Sequence, residues 1–195
     1  MKRTIAICIV LICFTSGYGQ KKKPVKKTPT TTSILAKTEN LTAEIVKSNF
    51  YLFIGNATKK DTILIKALDV NKMLTDCKIT SFTAKGNKLY VVSWLEKTIT
   101  ETKLKKEEAL TTFTEVCDIS SKSKVLSNAQ TTTKITEIVF LDKNQTVSET
   151  REKLRKEGFE FTITAEGDVI LKNKAQENRM SYSGTDKKFV SAKKK

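Results

Sequence analysis

Four carboxylates on predicted strands, Glu96, Glu101, Glu115 and Glu137, are the side chains best placed for proton transfer. Two of them converging on one sheet cleft would give a hydrolase its acid and its base without histidine. The same groups facing lysines on neighbouring strands would be ion pairs with no chemistry. Spacing along a strand does not choose between these outcomes. The chain contains no histidine. That removes Ser-His-Asp and Cys-His nucleophiles, imidazole metal sites and a histidine-ligated haem.

Two short motifs imitate catalytic or metal loops. Ser121-Lys122-Ser123-Lys124 has the Ser-x-x-Lys spacing of a lysine-activated serine, but it lies in a Ser/Lys-rich turn instead of opening an apolar helix. Asp142 to Thr146 sets oxygens at alternate positions, as a calcium loop does. Val147 and Lys153 stand where that loop needs glycine and a bidentate acid, so the segment reads as a turn. The glycines beyond residue 20 are isolated, and none forms a phosphate-cradling loop. Neither a cofactor nor a metal is expected. Trp94, Tyr90 and Tyr51 are the candidate ligand-binding residues: they line a sugar or peptide groove if a sheet face is left open, and pack in the core if it is not.

Cys77 and Cys117 are the cysteines that remain once the first nineteen residues are set aside. Both fall on inward strand faces. They permit one disulfide, worth about 4 kcal/mol on the chain-entropy model, or two separate buried thiols.

The elements that must position these groups read mostly as strands. Threonine, isoleucine and valine dominate the body of the chain, and they favour half-buried strands. Phe50 to Ile54 is apolar on both faces, as a central strand is. Gly86-Asn87 between Lys78–Ala84 and Lys88–Glu96 signals a hairpin. Asn40 to Ser48 fits a helix or a strand equally well. Val147–Glu157 reads as a surface helix, with a capping box at Thr146 to Glu149, a left-handed exit at Gly158 and an apolar stripe of little more than Val147 and Leu154. The expected fold is mainly β (α+β): an antiparallel sheet, sandwich or partly open barrel carrying that one helix.

Residues 1–19 have the order of a secretory signal peptide: Lys2-Arg3, an apolar run from Ile5 to Phe14, then small residues through Gly17 and Gly19. The run is too short to span a bilayer, and no transmembrane segment is expected after its removal. Residues 20–33 read as a disordered Lys/Thr/Pro linker, 34–172 as a single β-rich domain, and 173–195 as a basic end whose last ten or so residues lack fixed structure. The net charge of +15 therefore concentrates at the two ends. Those ends suit weak, salt-sensitive contact with anionic surfaces and no specific nucleic acid. The chain is expected to be exported, to the periplasm, cell surface or medium, as a non-catalytic binding or structural module of the cell envelope with a partner there. The histidine-free hydrolase is the alternative.

Overall fold

The computed structural model describes residues 33–55, 61–69 and 73–192. The expected signal peptide and most of the linker lie outside the described residues. Every described element is a strand, and within each sheet neighbours in sequence pair antiparallel.

Three meanders follow one another. The first sheet holds β1 (Ser33–Thr38), β2 (Leu41–Val46), β3 (Asn49–Ile54) and β4 (Asp61–Ala67). The central sheet holds β5 (Leu74–Ala84), β6 (Asn87–Glu101), β7 (Lys105–Asp118), β8 (Ser123–Phe140) and β9 (Ser148–Gly158). The third holds β10 (Glu160–Ile163), β11 (Val169–Lys172), β12 (Glu177–Ser183) and β13 (Lys188–Ser191). The β5–β6 hairpin closes where glycine signalled it. Lys85 (φ 49°) and Gly86 (φ 79°) fill both left-handed positions of a type I′ turn, with Ala84 paired to Asn87.

The central sheet is the middle of three layers at one end only. Residues facing each other across a ladder share a face, so Tyr90, Val92, Trp94 and Cys117 point to the first sheet, into a core with Leu41, Phe50, Leu52 and Ile63. Leu89, Val91 and Val116 point the other way and pack with Val169, Tyr182 and Phe189 of the third sheet. The flanking strands have 4–7 residues, whereas β6, β7 and β8 have 15, 14 and 18. At about 3.4 Å per residue the long strands outrun their covers. Neither core takes a residue from 97–112 or 129–158. The central sheet thus continues as a projecting end.

Two expectations are corrected. The segment predicted as the Val147–Glu157 helix is β9, in register with β8 from Gln130↔Gly158 to Phe140↔Ser148 and exposed along its whole length. A helix there would bury only a narrow stripe, while the strand satisfies the free edge of β8 and sets Lys134 against Glu152 at 2.9 Å. Gly158 is left-handed as expected (φ +83°), but it ends a strand; a Cβ there would lie 2.1 Å from the Ala129 carbonyl oxygen. The stretch expected as the basic end, residues 173–195, contributes β12 and β13 to the third sheet, with Tyr182 and Phe189 in its core.

The second correction concerns the disulfide. Cys77 and Cys117 are free thiols. Cys77 occupies a bulge in β5 opposite Trp94, and Cys117 lies in β7, four residues along from Phe113, which is the partner of Trp94. Two strand spacings of about 4.8 Å and four rises of about 3.4 Å separate their Cα atoms by well over the ~6 Å that a bridge needs.

Candidate functional site

Several of the residues singled out in the sequence meet where β4 crosses the central sheet. Trp94 is 1% exposed, stacked on Phe113 at 5.2 Å and met edge-on by Phe50 at 5.1 Å. Its Nε1 donates to Glu96 Oε1 at 2.9 Å. Lys66, reaching over from β4, donates to the same oxygen at 2.6 Å and holds its ammonium 3.9 Å from the Phe113 ring centre. Glu96 is 3% exposed, so one acid, one indole and one ammonium close the edge of the core.

Glu115 lies on the same face of β7. Burial pushes its carboxyl above the usual range, against the opposing pull of the Ser127 hydroxyl and of Lys124, 3.6 Å away. Glu96 and Glu115 both feel Lys66, but the Trp94–Phe113 stack stands between them along the strands. Three surface cavities of about 480, 240 and 280 Å³ are lined by neither of them. The other two acids are elsewhere: Glu137 is hydrogen-bonded by Lys153, and Glu101 is exposed at the far end of β6. The four acids do not converge.

The aromatic candidates are mostly enclosed. Trp94 is in the core, and Tyr90 is 7% exposed, its hydroxyl donating to Glu39 at 2.8 Å. Tyr51 alone keeps a half-buried surface, beside Phe53 at 5.8 Å. The three form no open groove. Ser121 donates to Asp118 at 2.7 Å and contacts Ser123, while Lys124 donates to the Ile65 carbonyl at 2.9 Å, so the Ser-x-x-Lys spacing is a turn that ties β8 to β4. Asp142 spends its oxygens on Thr146 and on the Val147 amide, and these bonds draw its pKa down to about 2. Both thiols are pushed up by burial, Cys77 to about 11 and Cys117 to about 12.

The projecting end is the surface that residue types alone did not reveal. Its two faces differ. On the first-sheet side, charged chains lie over the strands: Arg155 reaches Glu107 at 4.0 Å across β8, Lys105 meets Glu107 at 2.7 Å, and Lys153 meets Glu137. Beneath them Thr133 and Ile135 are 1% and 7% exposed. On the third-sheet side stand Ile99, Leu110, Ile138 and Leu154, all exposed. A shallow cavity of about 280 Å³ runs between Lys97, Glu108, Leu110, Lys134 and Leu154. The signal was present in the strand lengths and in the parity of these four aliphatics, but it needs the register to be legible. Comparison with protein families, characterised proteins and solved structures finds no match.

Proposed function

We propose that this protein is an exported, non-catalytic binding or structural module that works through the projecting end of its central sheet. The observation that carries this reading is the continuation of four strands past both covering sheets. Uncovered sheet is costly in aggregation risk unless it is charged or occupied, and here one face is charged while the other keeps aliphatic side chains in water. The order of charged, apolar and small residues at the start of the chain supports export. The lysines of the N-terminal stretch add weak attraction to anionic envelope surfaces.

The test pairs surface and core variants. Isolated cell envelopes should retain the wild-type protein, and replacing Arg151, Lys153 and Arg155 together with serine should release it with little change in melting temperature. Unchanged retention would remove the projecting end from the binding role. Turnover of a glycan, peptide or ester that Glu96→Gln or Glu115→Gln abolishes without unfolding would replace this reading with the hydrolase. Fractionation with intact-mass measurement checks export: a chain beginning at Gln20 outside the cytoplasm is expected, and Met1 retained there contradicts it.

A further inference from the structure

We propose that the third-sheet side of the projecting end is the interface of a head-to-head homodimer. The face is a continuation of one that the protein already buries, since lower down the same side of β6, β7 and β8 packs Leu89, Val91, Val116 and Leu126 under the third sheet. Above that cover the cross-strand registers arrange three rows. The row nearest the body carries Lys97 and Lys156 at its two ends. The middle row runs Ile99, Glu108, Lys134, Leu154. The outer row carries Glu101 and Glu152 at its ends. The face is thus basic toward the body, acidic toward the tip and apolar at both flanks of its centre.

That pattern complements itself under one symmetry operation. A two-fold axis lying between the stacked sheets, across the strands at the middle row, sets each copy's Lys97 over the other's Glu101 and each Lys156 over the other's Glu152. Ile99 meets Ile99 and Leu154 meets Leu154, while Glu108 faces Glu108 and Lys134 faces Lys134, each like pair flanked by the opposite charge on the neighbouring strand and by the in-chain ion pairs Lys97–Glu108 and Lys134–Glu152. Leu110 lies over the aliphatic stem of Lys106. The two bodies then point away from each other. A two-fold along the strands is excluded, because it would drive the partner's central sheet into this copy's third sheet. Edge pairing through β9 is disfavoured too, since antiparallel registers about its middle bring Arg151, Lys153 and Arg155 against one another. Four strands about 4.8 Å apart, carrying these three rows and one more on each side (through Thr112 and through Ile138) at about 6.8 Å spacing, give a footprint of roughly 650 Å², near the ~800 Å² per partner of a standard interface. Whether the protein also binds an envelope ligand is a separate matter.

Sedimentation of the full-length protein over a concentration series should show a monomer–dimer equilibrium. Reversing one row, Lys97→Glu with Lys156→Glu, should weaken it by about tenfold or more. Adding Glu101→Lys and Glu152→Lys, which swaps both rows, should restore it. Because folding defects do not cancel in this way, recovery identifies the interface. Under mild oxidation Leu154→Cys should yield a covalent dimer, and Arg155→Cys, one residue away on the opposite face, should not. A protein that stays monomeric at its highest soluble concentration overturns the proposal. So does association that survives row reversal, or cross-linking that is equal at the two cysteines.

Discussion

The two ends of the central sheet share β6, β7 and β8, with β5 at the covered end and β9 at the projecting one, and differ in what their side chains do. At the covered end β6 reads Leu89-Tyr90-Val91-Val92, with all four buried, because each face has a sheet against it. At the projecting end the same strand reads Lys97-Thr98-Ile99-Thr100-Glu101, with all five exposed. The backbone ladder is unbroken from Tyr90↔Cys117 to Glu101↔Lys106. Hydrogen bonding therefore sustains the projecting end, while burial anchors the covered one. Stability should concentrate in the covered half, and surface properties in the other.

The largest effect is expected at Trp94. Trp94→Ala removes the ring between Phe50 and Phe113 and should cost about 3–5 kcal/mol in denaturant unfolding. Leu154→Ala, which is 73% exposed at the projecting end, should change stability by no more than about 0.5 kcal/mol. Equal losses would mean that the two ends unfold as one packed unit. Gly158→Ala follows, at roughly 2–3 kcal/mol, since the left-handed backbone and the Ala129 carbonyl both reject a Cβ. A loss near zero would show that β9 can leave β8 without consequence.

Thiol chemistry sharpens the contrast from the covered side. With pKa values of about 11 and about 12, Cys77 and Cys117 are thiolate to roughly one part in a thousand or less at pH 8. Alkylation of the native protein should be slow, with Cys77 ahead of Cys117, and fast in denaturant. Rapid native labelling of both would contradict the packing of the core beneath Trp94. Denatured, non-reduced protein should give two reactive thiols from this pair.

The smallest effect belongs to the projecting tip. The folded pKa of Asp142, about 2, lies below the usual 3.8, so the β8–β9 loop is held with full strength above about pH 4 and loosens as pH falls through about 2. Amide exchange at Thr146 and Val147 should rise over that window while exchange in β6 stays protected. Asp142→Ala should raise loop exchange at neutral pH and remove its acid dependence. No change at Thr146 would place the loop's order elsewhere.

How far the sequence could be read follows the same division. The Gly86 hairpin and the central strand Phe50–Ile54 are legible because local periodicity and turn chemistry determine them. The left-handed backbone at Gly158 is legible from the sequence, but it ends a strand and not the expected helix. Ser148 to Glu157 is rich in Glu, Lys, Arg and Leu, which favour helix, and only the open edge of β8 overrides that preference. Trp94, Tyr90 and Tyr51 were legible as aromatic strand residues, but whether a face is open depends on what covers it. Glu96 shows the same limit, since its partner Lys66 is 30 residues away.

The sequence by itself determined a strand-rich chain without histidine, cationic toward its ends, with hairpins at its glycine and asparagine turns. These are properties of composition and of neighbours within a few residues. Tertiary structure alone decided that the meander divides into three sheets, that the two cysteines stay apart, and that one end of the central sheet goes uncovered. Those outcomes depend on register and relative strand length, which are set by pairings between residues far apart in the chain, and no short window of sequence contains them.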